Sequence, residues 1–165
     1  MKLKTTIMLI CLLAFNTGTS AQSVETAQQQ QQVNVQQQLI HASMRHELQH
    51  AVTLATEQAL KTRYVFSGDT PAGWDCSGLV RWVYKQAGVT LPHSADKQGH
   101  LGRRVSIPKR GDIVVFAYQG RTDFYHAAIY LGEGLILNAN LEYRTTVIES
   151  LNNFRHSQIR FIRVL

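Results

Sequence analysis

From Asp112 onward the chain is a series of short apolar runs separated by turn residues, and before Gly88 it is not. Runs at Asp112–Tyr118, Tyr125–Leu131, Leu135–Ala139, Thr145–Ile148 and Gln158–Val164 have strand length, and Gly132-Glu133-Gly134 is a tight hairpin turn between two of them. Upstream, the apolar residues recur every three or four positions. Leu48, Val52, Ala55, Ala59 and Leu60 form one such stripe in a helix predicted from about Leu39 to Thr62. Leu79, Val80, Val83 and Ala87 form another, opened by Asp75 as an N-cap type and stopped by Gly88. Between them, Tyr64–Gly68 reads as a short strand or extended piece and 69–73 as a turn-rich loop. Ser94–Gln98 reads as a single helical turn, and Ser150–His156 as a short helical or irregular connection. Helices first and about five antiparallel strands afterwards define an α+β fold.

The first 38 residues stand apart. Met1-Lys2-Leu3-Lys4, the apolar run Ile7–Phe15 and the small residues Thr19-Ser20-Ala21 have the order of a secretory leader, 1–21, with cleavage after Ala21. That apolar run is too short for a membrane span. Residues 22–38 are Gln-rich and lack an apolar period. They read as a disordered leader, with a helical arm as the alternative and a protein partner as its use. The domain itself is expected over 39–165. Removal of Lys2 and Lys4 with the leader leaves 15 basic against 11 acidic residues, a net charge of +4 in place of +6. This suits an anionic partner such as a cell wall. No zinc-finger spacing, aromatic RNA-binding signature or basic helix is present, so nucleic acid is not expected as a ligand. His46 and His50 share a helix face but lack a third ligand, so no metal is expected.

Cleavage would also remove Cys11 and leave Cys76 alone, unable to form an internal disulfide. Cys76 falls in the first turn of the second predicted helix. There the free N–H groups and the helix dipole favour thiolate over thiol. A thiolate nucleophile needs a base and a group to orient that base. His126 begins one strand and Asn138 ends the next, so pairing across the Gly132–Gly134 turn brings them to one edge. An Asn oxygen accepting the imidazole Nδ1–H would complete a Cys-His-Asn set.

From about Ala51 to the C-terminus these pieces resemble the NlpC-type cell-wall cysteine peptidases. The resemblance rests on Tyr64–Gly68, Trp74-Asp75-Cys76-Ser77-Gly78-Leu79-Val80, Ala87–Pro92, Ser94-Ala95 through Gln98, Lys109–Phe116 and His126–Gly132, all in family order. It implies a papain-like α+β domain in which Cys76 is the nucleophile and His126 the base. The third polar residue, usually a His, falls at Asn138. The resemblance also implies that Tyr64 helps stabilise the oxyanion and that Asp75 and Ser77 hold the free amine end of a stem peptide. The implied reaction is hydrolysis of peptidoglycan stem peptides by an exported enzyme, periplasmic or secreted, most often between γ-D-glutamyl and a diamino acid, without a cofactor. An amidase or acyltransferase on the same scaffold and a wall-binding module are the alternatives.

Overall fold

The computed structural model describes the backbone of residues 18–165 and the side chains of residues 23–165. The expected leader, 1–21, falls almost entirely outside these residues. Helix α1 runs Gly18–Thr56. The Gln-rich stretch is therefore a helical arm rather than a disordered leader, and every side chain from 23 to 39 is exposed. By itself this segment buries no apolar face. The chain divides at Leu39 into two compact units, and the sheet and the hydrophobic core belong to the unit Ile40–Leu165.

Within that unit α1 buries Leu48, Ala51, Val52 and Ala55, the i, i+3, i+4, i+7 stripe of a core-facing helix. The helix stops at Thr56, six residues before the expected end. Ala59 still packs against the core. Leu60 does not join the stripe: it has φ 62°, is 78% exposed, and uses its N–H to reach the Thr146 carbonyl at 2.7 Å. The next segment is the extended piece rather than a full strand. Arg63 and Tyr64 make single bridges to Thr145 and Trp74. The expected loop after it is a miniature hairpin, with β1 (Asp69–Thr70) paired antiparallel to β2 (Gly73–Trp74). Trp74 is fully buried, and its Nε1–H donates to Thr146 Oγ1 at 2.7 Å. That bond ties the segment before the second helix to the far side of the sheet.

Helix α2 spans Cys76–Gln86, and Gly88 follows with φ 78°, the left-handed conformation that closes a helix at little cost for glycine. Helix α3 is the expected single turn, Ala95–Gln98, capped by Ser94. The buried Gln98 amide donates to the carbonyls of Ser77 (2.9 Å) and Pro92 (2.8 Å), which fixes α3 to α2.

The remaining strands are β3 (Arg103–Val105), β4 (Ile113–Ala117), β5 (His126–Gly132), β6 (Leu135–Asn140), β7 (Thr145–Ser150) and β8 (Gln158–Arg163). They form one antiparallel sheet in the order β3-β8-β4-β5-β6-β7, six strands where about five were expected. The extra strand, β3, is an edge strand of sequence Arg-Arg-Val. Its solvent-facing arginines hide it from any apolar pattern. One face of the sheet carries the helices: Ile113, Val115, Ala117, Ala127, Ile129 and Leu137 join Leu79, Val83 and Val52 in the main core. The other face buries Val114, Phe116, Ala128 and Ile136 under Tyr130, Phe154 and Phe161. Both faces of β4 are thus covered, and all five of its residues are buried. A short 3-10 turn, Leu151–Phe154, brings Phe154 over this second cluster. Among the described residues no helix is long and apolar enough to cross a membrane.

Candidate active site

Asp75 caps α2 from an extended backbone (φ −93°, ψ −178°). Its Oδ1 accepts from the Gly78 N–H at 2.7 Å and the Ser77 hydroxyl at 2.9 Å, and meets His93 Nε2 at 3.0 Å. Its Oδ2 accepts from the Ser67 N–H at 2.9 Å. Four contacts thus anchor this carboxylate, which is 7% exposed; Ser77, at 5%, is bonded to it. These contacts fix the residue that follows, Cys76, at the first helical position.

Cys76 is a free thiol, half-buried at the end of α2 that abuts β5. Burial pushes its pKa up, and the Asp75 charge adds to the rise. The backbone N–H groups of Ala127, Ser77 and Cys76 itself pull the other way and do not prevail. Here the structure corrects the sequence expectation. The helix start does present N–H groups to the sulfur, but desolvation of the charged form outweighs them. The net effect disfavours the thiolate.

His126 opens β5, and Asn138 lies diagonally from it on β6, in a register set by Ile129 opposite Leu137. The hairpin turn is the two-residue Glu133-Gly134, with φ 53° and 74°, between the paired Gly132 and Leu135. Two positive φ values match the twist of the flanking strands. The His126 Nε2–H donates to Asn138 Oδ1 at 3.1 Å. The expectation had Nδ1 in that role. The direction follows from the neighbouring bond, in which Asn138 Nδ2 donates to Glu149 Oε1 at 2.7 Å, so the oxygen of the amide is the end that meets the ring. Nδ1 is then the unprotonated nitrogen of the neutral imidazole, free to take a proton. Burial pulls the pKa of His126 below its usual value, against the opposing effects of the Asn138 hydrogen bond and the charges of Glu149 and Asp75. The ring stacks on Phe154 at 5.9 Å and 9°, and packs on Phe116 at 5.5 Å, which fixes its plane.

Cys76 and His126 share a cleft of about 240 Å³ with Tyr64, Tyr125, Phe154 and the loop Asn140–Glu142. The Tyr64 hydroxyl has its pKa raised by burial and by the nearby Cys76 and Asp75, so it stays protonated and able to donate. Of the residues singled out in the sequence, Cys76, His126 and Tyr64 line this cleft, Asn138 lies behind His126, and Asp75 and Ser77 form the buried support under Cys76. Sequence reasoning missed Glu149, Asn140, Tyr125, Phe154 and His93. Continuing the hairpin register one strand further, to β7, would have placed Glu149 near Asn138; nothing in the sequence marks the others.

Comparison with known proteins bears directly on this arrangement. The NlpC/P60 family description matches residues 61–164, which hold the cleft residues and their supports. The chain belongs to the NlpC/P60 family. Among curated relatives it is 37% identical over 116 residues to a gamma-DL-glutamyl hydrolase of Bacillus subtilis, covering 68% of this chain and 28% of that protein. It is 33% identical over 94 residues to a gamma-D-glutamyl-L-lysine dipeptidyl-peptidase of Bacillus cereus, covering 54% of this chain and 28% of that one. The chain thus spans little more than a quarter of either relative. Among solved structures, the peptidoglycan hydrolase RipB of Mycobacterium tuberculosis superposes with a TM-score of 0.65 at 25% identity, covering 75% of this chain and 67% of that one. The papain-like α+β architecture expected from the resemblance is thereby that of a known NlpC/P60 domain.

Proposed function

We propose that this protein is a cysteine endopeptidase that hydrolyses peptidoglycan stem peptides through an acyl-enzyme at Cys76. The bond assigned to it joins γ-D-glutamyl to a diamino acid. The observation that carries the reading is the 3.1 Å contact of His126 Nε2 with Asn138 Oδ1, beside a cleft that His126 shares with Cys76. The names of the two Bacillus relatives supply the substrate class.

In the first half-reaction His126 Nδ1 takes the Cys76 Sγ proton as the sulfur attacks the γ-glutamyl carbonyl carbon. The oxyanion forms beside the first N–H groups of α2 and the Tyr64 hydroxyl, donors already in place before reaction. The imidazolium then returns its proton to the departing amine of the diamino acid, and the C–N bond breaks. Water, deprotonated by the same nitrogen, attacks the thioester and releases the γ-glutamyl carboxylate and the thiol. Asp75 supplies negative charge to the side of the cleft assigned to the free amine end of the stem peptide, and Ser77 holds that carboxylate in place. Export to the periplasm or beyond, through a leader spanning residues 1–21, is part of the proposal because the substrate lies outside the cytoplasm. No cofactor takes part in this scheme.

Mass spectrometry of purified muropeptides incubated with the protein and with Cys76→Ser tests the reading. Fragments split at the γ-glutamyl bond and absent with the variant are expected. Fragments that separate glycan from peptide would replace it with an amidase, and joined peptides with an acyltransferase. Intact muropeptides retained on the protein would replace it with a wall-binding module.

A further inference from the structure

Behind Asn138 sits a carboxylate that the proposed mechanism does not use. Glu149, on β7, receives three side-chain amides. Its Oε1 accepts from Asn138 Nδ2 at 2.7 Å and from Asn140 Nδ2 at 3.1 Å, and its Oε2 accepts from Asn153 Nδ2 at 3.0 Å. An ionised carboxylate can only accept, whereas an Asn amide donates at one end and accepts at the other. Glu149 therefore dictates which way each amide faces.

We propose that Glu149 is the positioning residue that decides which nitrogen of His126 is the base. Asn138 is fully buried and has two orientations open to it. With Nδ2 on Glu149, Oδ1 meets the ring and the imidazole proton resides on Nε2. With the amide reversed, Oδ1 would oppose the carboxylate and Nδ2 would face the ring. Nε2 would then have to accept and the proton would move to Nδ1, the nitrogen needed to deprotonate Cys76. Glu149 closes off that second arrangement. The same carboxylate braces the cleft wall. Asn140, held by Glu149 through Nδ2, uses its Oδ1 to accept the N–H groups of Glu142 (2.8 Å) and Tyr143 (3.2 Å) and so shapes the loop beside the cleft.

This inference deepens the proposed peptidase reading and rests on it for the identity of the base, but its test needs no substrate. The charged groups that act on His126 are Glu149 from β7 and Asp75 from the start of α2, and Asp75 is unchanged in every variant tested. The rate of Cys76 alkylation by iodoacetamide at neutral pH is measured on the full chain, with Cys76→Ser as the blank for Cys11. Glu149→Leu removes the acceptor and is expected to slow alkylation roughly tenfold. Glu149→Gln keeps an oxygen for Asn138 Nδ2 and is expected to stay within about threefold of the parent. In an Asn138→Ala background Glu149→Leu is expected to slow alkylation by no more than about twofold, because the tautomer is set through that amide and only the charge of Glu149 and its hold on Asn140 remain to be lost. Alkylation at the parent rate in a folded Glu149→Leu protein, or a full additional loss in the Asn138→Ala background, would overturn the proposal. If Glu149→Leu does not fold, the unaltered protein decides: long-range proton–nitrogen NMR of His126 is expected to show the neutral ring protonated at Nε2, and protonation at Nδ1 refutes the assignment. Intact muropeptides together with the expected alkylation pattern would sink the substrate reading and leave this one standing.

Discussion

Gly78 is the position at which a single methyl group should damage both fold and site. It lies in the first turn of α2, and a Cβ built on it overlaps the Gly68 carbonyl oxygen and lies 3.0 Å from the carbonyl carbon and 3.0 Å from His93 Nε2. The obstacle is backbone, so it cannot swing aside as a side-chain tip would. Gly68 is also held: its carbonyl accepts from the Asp75 N–H at 3.0 Å and its N–H donates to the Val65 carbonyl at 2.9 Å. Overpacking of this kind costs about 1–3 kcal/mol, and a backbone obstacle belongs at the upper end. Separating Gly68 from Asp75 forfeits a hydrogen bond of about 1 kcal/mol. The better helix propensity of alanine returns about 1 kcal/mol. Gly78→Ala should therefore lose about 3 kcal/mol, roughly 10 °C in Tm for a folded unit of this size. Because the displaced residues are Asp75 and its neighbours, Cys76 should also shift, and its alkylation rate should fall together with Tm. Gly88→Ala is the control. Its φ of 78° strains alanine by about 1–2 kcal/mol, but a Cβ there meets nothing within 4 Å, so Tm should drop by several degrees with Cys76 chemistry unchanged. Calorimetry and alkylation on the same samples decide. A Gly78→Ala protein with parent Tm and parent thiol reactivity would show that the two backbone segments separate freely, and would refute the claim that this glycine fixes the nucleophile.

Three further outcomes rest on contacts and electrostatics. Trp74→Phe removes the 2.7 Å bond to Thr146 inside a fully buried pair and should cost about 2–3 kcal/mol by denaturant unfolding, with an unchanged m-value. Arg163→Ala strips a bidentate partner (2.9 and 2.7 Å) from Asp112, which is 4% exposed, and should cost about 3 kcal/mol or more; Arg163→Met combined with Asp112→Asn should recover much of it. In the pH profile of kcat/KM, the acidic limb should lie below the ordinary imidazole range, because burial depresses His126, and the midpoint of the Cys76 thiolate ultraviolet absorbance should lie above the ordinary thiol range, because burial raises that thiol. The sign for stability agrees: a depressed folded pKa means that the contribution of His126 is complete above pH 6.5 and is lost as pH falls through the folded value. A resting thiolate at neutral pH would contradict both shifts.

Legibility in the sequence followed the range of the interactions involved. Asp75 as a cap, Cys76 at the first helical position and Gly88 as the stop are local rules, and α2 obeys them. The Gly132–Gly134 turn fixes the β5–β6 register, so strand pairing across it is enough to bring His126 and Asn138 together. β3 was invisible because an exposed edge strand needs no apolar alternation, only a partner, and its partner residues on β8 lie nearly 60 positions further on. Leu60 was misplaced for a related reason. A periodic stripe says nothing of where a helix must break so that the chain can meet β7, and the left-handed turn that breaks it leaves leucine in solvent.

The protonation state of Cys76 lay further out of reach. A helix start always presents N–H groups, so the sequence rule for a thiolate considers only the stabilising side. The opposing effect depends on how much protein closes over the sulfur, and β5 supplies that cover from fifty positions away, along with one of the N–H groups that pull the pKa back down. Under the proposed mechanism the helix start alone therefore does not account for the activation of Cys76. The proposal assigns that step to a neutral imidazole with Nδ1 bare, its tautomer set by the buried Asn138 amide that Glu149 holds from the next strand. A reading confined to the cysteine motif finds Cys76 but not these partners, because they come together only through the pairing of β5, β6 and β7.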